Sequence, residues 1–340
     1  MKKTLLAITI PTILFANSVS AVKLYQDEVN TFSIGGHISV GLAGSEEGNT
    51  KVESLSPRIN IGATRDLGEG FMLDLRSEWW VNVLEGGEQA FTTRLGYIGL
   101  THDTYGRAVI GTQWSPYYSV AGIAERTVAF GNQFLYNNHY NLGTARAEKM
   151  LSYSKNLELG EAGTVIMAAG WQGEHTEDNA DYDTRLQAAL TYQIMDFSLG
   201  YAYNSGDVDD DSVGSTQQAV SNVASAKYGD YGQGLYVAAV YANNEYMYQY
   251  KSSDVLEETV QIEAIAAYAL ENSLNFSINY ETVEDNKIDN TVYSQLAFNV
   301  EYDFLSNVRG YTGYQIDLGS EGAYDKPDDN KFALGVRVFL

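Results

Sequence analysis

The feature that most constrains the fold of this chain is a period of two in its hydrophobicity, which recurs along most of the sequence. In residues 272–281, large apolar side chains alternate with polar ones: Leu274, Phe276, Ile278 and Tyr280 against Asn275, Ser277, Asn279 and Glu281. The same alternation is present at 33–42, 295–302 and 332–340. Successive side chains of a β-strand point to opposite faces, so each segment predicts a strand with one apolar and one polar face.

The connections between such segments alternate in length. Short turns are predicted at 66–70, 102–106, 157–163, 194–196, 229–232, 271–273 and 305–307, and longer polar links at 44–54, 82–90, 115–145, 172–182, 205–216, 243–255, 284–290 and 317–330. Outer-membrane barrels alternate in this way, with short periplasmic turns and long extracellular loops, whereas a secreted β-sandwich gives no reason for it. The sequence therefore predicts an all-β fold: a transmembrane antiparallel β-barrel of about sixteen strands, with both termini on the side of the short turns.

The N-terminus has the three-part pattern of a secretory signal peptide. Lys2 and Lys3 precede an apolar run at 5–16, and small residues follow up to Ala21. The apolar run is shorter than the roughly 20 residues that a spanning helix needs. We therefore expect residues 1–21 to be cleaved and residues 22–340 to form a single barrel domain. Cleavage removes two lysines and no acid, so the formal net charge of −23 becomes −25.

Four segments resemble the general trimeric porins of Gram-negative bacteria, most closely those of Vibrio-like marine bacteria. They are Thr93–Leu100, Gly106–Tyr117, Asn307–Tyr311 and Ala333–Leu340. The resemblance implies an outer-membrane homotrimer in which each subunit has its own water-filled pore for passive diffusion of ions and small hydrophilic solutes. It also implies contact with outer-membrane lipid and lipopolysaccharide, and recognition of the C-terminal strand by the barrel-assembly machinery.

The same resemblance assigns the link 115–145 as a third extracellular loop that folds inward and narrows the pore. Where the family carries Pro-Glu-Phe-Gly-Gly, residues 128–132 read Val-Ala-Phe-Gly-Asn, so Ala129 stands at the position of an acid. Glu125 matches the other acid of the family's constriction, and Arg126 has no counterpart there. The apolar residues that are expected to hold the loop against the inner wall are Val120, Ile123, Val128, Phe130 and Phe134.

A row of basic residues is expected on the barrel wall that faces this loop. By local match to the family, Arg58, Arg94 and Arg146 occupy its positions, and His37 stands where a lysine is common. Alternation independently places Arg58 and His37 on polar faces. Cations and anions that face each other across a narrow aqueous gap create a transverse field that orients dipolar solutes.

Charged residues outside the constriction predict whether the channel prefers cations or anions. The predicted loops are acidic, and five further acids have inward parity: Asp74, Glu78, Glu263, Glu281 and Glu301. At low salt, where charges act over long distances, these carboxylates are expected to give a weak preference for cations that declines as salt rises.

The remaining residues offer no pattern for chemistry or for a cofactor. The chain has four scattered histidines and no cysteine, which supplies no metal-ligand spacing, and its acidity disfavours nucleic-acid binding. Two alternatives remain open. One is an outer-membrane barrel hydrolase. The other is a channel that prefers a substrate such as an oligosaccharide, for which aromatic residues on or beside the loop would stack on sugar rings: Trp114, Tyr117, Tyr118 and Tyr136.

Overall fold

A computed structural model describes residues 21–87, 91–131, 134–177, 180–210, 215–250 and 254–340. Apart from Ala21, the expected signal peptide lies outside these residues. Within them, sixteen long strands follow one another along the chain: β1 Asn30–Ser45, β2 Arg58–Gly68, β3 Phe71–Val81, β4 Phe91–His102, β5 Gly106–Trp114, β6 Arg146–Glu158, β7 Thr164–Gln172, β8 Arg185–Ile194, β9 Phe197–Asp210, β10 Gln217–Asp230, β11 Gln233–Tyr250, β12 Asp254–Ala269, β13 Leu274–Asp285, β14 Asn290–Leu305, β15 Val308–Gly319 and β16 Lys331–Phe339.

Shorter elements lie in the connections. The short strands are Val22–Gln26, Lys51–Glu53, His175–Glu177 and Ala180–Tyr182. The helices are α1 Pro116–Ala121 and α2 His139–Leu142, with single 3₁₀ turns at Phe134–Tyr136, Gly160–Ala162 and Gly322–Tyr324. No helix in the described part of the chain is long and apolar enough to cross a membrane.

The sheet closes on itself, which confirms the predicted barrel. Each long strand pairs antiparallel with its neighbour in sequence, and β16 pairs with both β15 and β1. Val338 lies opposite Ile38 at this seam, and the short strand Val22–Gln26 pairs with the start of β1 beside it. Closure leaves no long strand of the described residues with an unpaired edge, as a barrel in lipid requires.

The two faces of the wall differ as the alternation predicts. On β16 the side chains of Phe332, Leu334, Val336 and Val338 are exposed on the outer face, while Ala333 is buried. The same parity holds on β13, where Phe276 and Ile278 are exposed and the polar residues between them are buried. Apolar side chains therefore cover the outside of the barrel, where lipid replaces water.

Two predicted loops are shorter than the sequence indicated. The links expected at 205–216 and 243–255 begin late, because β9 continues to Asp210 and β11 to Tyr250. Backbone pairing continues there, with Val208 opposite Gln217 and Tyr248 opposite Leu256. Polar side chains suggested a loop, but a hydrogen-bonded ladder that projects beyond the membrane does not need an apolar face.

Candidate functional site

The described residues of the segment 115–145, which are 115–131 and 134–145, pack against the inward side chains of the barrel, beginning at β8 and β10. The Ser115 hydroxyl accepts from the backbone N–H of Tyr118 at 3.1 Å, which caps α1, and Pro116 follows at the first helical position. The N–H of Tyr117 donates to the Gln187 side chain at 3.1 Å, and its hydroxyl lies 2.7 Å from that of Ser221. The first turn of the segment is therefore fixed to the inner wall.

Further along, the segment is held on the side of β13–β15. The N–H of Val128 donates to the Glu301 carboxylate at 2.8 Å, and that of Phe134 donates to Glu281 at 2.7 Å. Asn299 forms a reciprocal pair with the backbone of Phe130, accepting from its N–H at 3.1 Å and donating to its carbonyl at 3.0 Å. These contacts place the segment inside the barrel, between its axis and the wall formed by β8–β15.

Three of the acids that were expected to make the lumen negative are buried, and the segment bonds to two of them, Glu281 and Glu301. Glu263 and Glu281 are 0 % exposed and Glu301 is 3 % exposed. All three have inward parity, as predicted, but the loop and neighbouring side chains separate them from lumen water. Of the five apolar residues expected to hold the loop, Val120, Ile123 and Phe134 are buried, and the two others, Val128 and Phe130, are partly buried.

The opposite wall carries arginines around one carboxylate, Glu78 on β3. Its oxygens lie 3.0 Å from Nε of Arg94, 2.9 Å from Nη2 of Arg76 and 3.7 Å from Nη1 of Arg58. Strand register explains the cluster, because Glu78 lies opposite Asn60 on β2 and Leu95 on β4. The sequence analysis placed Arg58 and Arg94 on this wall. It did not identify Arg76, and it did not predict that one carboxylate would lie close to three guanidinium groups.

The seam of the barrel adds two more inward residues to this wall. His37 on β1 lies with Nε2 2.9 Å from the Ser56 carbonyl, and its ring meets that of Phe339 edge to face. Arg337 on β16 donates to the Ser39 hydroxyl at 2.8 Å and to the Leu55 carbonyl at 3.1 Å. The alternation of the last strand gave the parity of Arg337, but the match to the family did not single it out.

Arg146, at the start of β6, is buried among aromatic rings. Its guanidinium carbon lies 5.2–5.3 Å from the ring centres of Trp114, Tyr136 and Tyr140, within the range of cation–π attraction. One amino group lies 2.9 Å from Nε2 of His139, and burial, followed by the charge of Arg146, lowers the pKa of His139 to about 4. The imidazole is therefore neutral at pH 7 and accepts this bond, so Arg146 joins the end of the segment to the wall.

The two charged residues of the segment lie side by side and have different partners. The Glu125 carboxylate accepts from the hydroxyls of Tyr118 at 2.8 Å and Tyr136 at 2.5 Å, and burial raises its pKa. Arg126 donates to the Ile123 carbonyl at 3.1 Å and lies 3.4 Å from the Tyr236 hydroxyl on β11. The structure thus gives Glu125 an enclosed, tyrosine-bonded position.

The aromatic residues considered for sugar stacking are packed rather than presented to water. Tyr117 is 0 % and Tyr118 9 % exposed, and the Trp114 ring stacks on Tyr118 at 4.2 Å. Among the described residues, no group of three or more histidine, aspartate or glutamate side chains could hold a metal ion.

Comparison with known proteins identifies the family. The family model described as Gram-negative porin matches residues 4–321. A porin-like protein of Buchnera aphidicola is 25% identical, with 97% of each chain covered. Outer membrane porin N of Escherichia coli is 24% identical, with 94% of each chain covered.

Solved structures share the fold. OmpF of Salmonella typhi, solved with daunomycin, superposes with a TM-score of 0.80 at 18% identity and covers 94% of this chain and 100% of that one. OmpT of Vibrio cholerae in a trimer form gives a TM-score of 0.66 at 17% identity, covering 92% and 100%. The closed sixteen-strand barrel, the segment packed inside it and the family match together show that this chain belongs to the Gram-negative porin family and is an outer-membrane porin channel.

Proposed function

We propose that this porin is a general diffusion channel for ions and small hydrophilic solutes, with a weak cation preference at low salt. The observation that carries the proposal is the docking of segment 115–145 against β8–β15, opposite a wall of arginines on β2–β4. That arrangement narrows an otherwise wide lumen and sets fixed charges beside the remaining passage. Arg58, Arg94, Arg146 and His37 on the wall, with Glu125 and Arg126 on the loop, are the proposed constriction residues.

Acids on the extracellular side support the cation preference. The side chains of Glu174, Glu177, Asp181, Asp207 and Asp209 are all exposed on loops and strand ends. At about 0.01 M salt the Debye length is about 30 Å, so such charges act together on ions approaching the entrance. The charge of the whole chain, −23, has the same sign.

The proposal includes processing and assembly. Removal of residues 1–21 would leave a mature chain that starts at Val22, whose short strand already pairs with β1. A homotrimer is proposed from the resemblance of the sequence to trimeric porins and from the trimer form of the Vibrio cholerae neighbour. Its partners would be outer-membrane lipid, lipopolysaccharide and, during insertion, the assembly machinery that reads the last strand.

The proposal assigns the chain no chemical reaction and no cofactor. The histidines of the described chain bond mainly within the scaffold: His37 to the Ser56 carbonyl, His139 to Arg146 and His175 to the Asn141 side chain. These bonds hold loops in place and do not assemble a nucleophile with a base, as a hydrolase requires.

Single-channel recording of the purified protein in a planar bilayer tests the proposal. We expect a conductance that rises with bulk conductivity and falls smoothly as neutral sugars of increasing size are excluded from the pore. Saturable block by one sugar well below the size limit would favour a substrate-preferring channel. No conductance from folded protein would contradict a diffusion channel altogether.

A further inference from the structure

We propose that Arg337 and Arg76 are additional selectivity-determining residues, which extend the arginine wall across the seam of the barrel and make its narrow part prefer small anions at high salt. The inference rests on the proposed channel function and adds the sign of the selectivity when distant charges are screened. Inorganic ions such as chloride and phosphate, and small carboxylates, are the solutes that such a wall would favour.

Arg337 and Arg76 both lie on the inner face of the barrel, near the cluster of arginines around Glu78. Arg337 on β16 is opposite Ser39 on β1, and Ser39 shares the parity of His37, which is opposite Arg58 on β2. Arg76 on β3 is opposite Gly62 of β2, which lies four pairs along from Arg58 and has the same parity. Because β16 pairs with β1, the last strand of the chain continues the wall formed by the first four. The guanidinium groups thus form an arc from β16 to β4.

The acids available to this arc are few. Glu78 lies within 4.0 Å of Arg58, Arg76 and Arg94, so one negative charge is shared by three positive ones. The bonds of Arg337 go to a hydroxyl and a carbonyl, which are neutral, and no carboxylate of the described residues lies within 4.0 Å of it. The arc therefore carries a net positive charge.

Exposure decides which of these charges acts on an ion in the lumen. The side chain of Glu78 is 4 % exposed, whereas those of Arg58 and Arg76 are 24 % and 28 % exposed. Of the other inward acids, Glu263 and Glu281 are fully buried, Glu301 is buried and paired with Arg309 at 3.0 Å, and Glu125 is enclosed by two tyrosines. The charges that reach lumen water at this level are thus mainly guanidinium groups.

Because salt screens the charges of the protein, the ion selectivity should depend on the salt concentration. At about 1 M salt the Debye length is about 3 Å, so loop acids at the entrance no longer influence ions in the narrow part. The arc lies beside the path of the ions and keeps its effect. We expect cation preference in dilute salt to give way to anion preference in concentrated salt, with a change of sign between them.

Reversal potentials at a fixed salt ratio and rising absolute concentration provide the test. Wild-type channels should cross from cation to anion preference between about 0.01 M and about 1 M salt. The double variant Arg76→Gln/Arg337→Gln should lose the anion preference at the concentrated end. Arg65→Gln is the matched control, because Arg65 is exposed near the periplasmic end of β2 with the opposite parity and should behave as wild type.

Open-channel conductance of each variant shows that it is folded. A conducting double variant with wild-type reversal potentials at high salt would overturn the inference while leaving the diffusion channel intact. Wild-type channels that stay cation-preferring at every concentration would also overturn it. If folded wild-type protein formed no channel, the proposed function itself would fail, and this inference with it.

Discussion

Individual arginines of the wall differ in how they are held and in how much water they meet. Arg94 is bonded to Glu78 and its side chain is 10 % exposed, whereas that of Arg58 is 24 % exposed and lies farther from the same carboxylate. An exposed charge acts on a passing ion through water, while a buried paired charge acts mostly on its partner. The residues chosen from the sequence are therefore not equivalent.

Removing either arginine should move the selectivity towards cations, by different amounts. In Arg94→Ala the reversal potential in a salt gradient should shift in the cation direction, because one positive charge is lost and Glu78 is less compensated. Arg58→Ala should shift it further, since more of that side chain reaches the lumen. Arg65→Ala serves as the control on β2. Folded Arg94→Ala channels without any shift would show that Arg94 does not influence the pathway.

Acid should change the selectivity partly through Glu125, the loop's single carboxyl group. Because burial raises its pKa, this group becomes protonated at a pH where exposed glutamates are still charged. Lowering the pH from neutral towards the ordinary glutamate pKa of about 4.3 therefore removes negative charge from the loop before exposed glutamates are neutralised, and should shift reversal potentials in the anion direction. Glu125→Gln should show a smaller shift over the same range. An equal shift in both proteins would assign the effect to other acids.

Among the elements, the segment 115–145 depends on contacts that are distant in sequence. Asn299 of β14 pairs with the backbone of Phe130, and Gly313 of β15 leaves room for it. A Cβ at Gly313 would come within 2.8 Å of the Phe130 ring and 3.1 Å of Ala129. The approach of loop to wall is therefore close enough that one added methyl group would displace it.

The loop should become more mobile when its bond to Asn299 is removed. Asn299→Leu leaves the N–H and carbonyl of Phe130 without these partners and should weaken docking by about 2 kcal/mol. The natural chain has no cysteine, so an introduced Ala129→Cys gives a single reactive thiol. We expect its labelling to be roughly 30-fold faster in the Asn299→Leu background. The control is Asn222→Leu, which removes an amide bonded to Tyr201 outside the lumen. Equal labelling in both would mean that Asn299 does not hold the loop.

The register of the last strand leads to a second prediction about a single element of the fold. Leu340 is exposed on the outer face and its N–H donates to the Gly36 carbonyl at 3.0 Å, while Phe339 turns inward to His37. Since the outward position is apolar in either case, Leu340→Phe should leave outer-membrane yield unchanged or improve it. Heat-modifiable migration and membrane fractionation measure insertion. Loss of insertion in Leu340→Phe would show that this register is not the one that the assembly machinery reads.

In the whole molecule, opposite charges are separated between the loops and the lumen. A group of exposed acids, Glu174, Glu177, Asp181 and Asp207, lies at the extracellular end, whereas Arg58, Arg76, Arg94 and Arg337 lie along the inner wall. This separation is what allows salt concentration to select which set dominates.

Neutralising the loop acids should therefore change the ion selectivity only in dilute salt. In a variant with Glu174, Glu177, Asp181 and Asp207 changed to their amides, the cation preference at about 0.01 M should decrease, while the reversal potential at about 1 M should stay as in wild type. Single-channel conductance at high salt provides the control for an intact pore. An equal change at both concentrations would place these acids in the narrow part of the channel.

The sequence by itself determined the barrel. Alternation on β1, β13, β14 and β16 fixed which side chains face lipid, because a strand has only two faces and lipid accepts only apolar ones. Short and long links, in regular order, predicted about sixteen strands, and the described chain has sixteen long ones. The extent of β9 and β11 was missed, since polar residues beyond the membrane look the same in a loop and in a projecting hairpin.

The sequence determined the candidate site only in part. The parity of a residue shows which face of the strand its side chain is on, but not which side chains lie beside it. Parity placed Glu78, Glu281 and Glu301 on the inner face, but only closure of the barrel and the docked loop decided that Glu78 lies among arginines and that the other two lie under the segment. Arg337 likewise joins the wall only because the last strand pairs with the first. Contacts between residues so far apart in sequence depend on the three-dimensional register of the whole sheet, which local patterns do not contain.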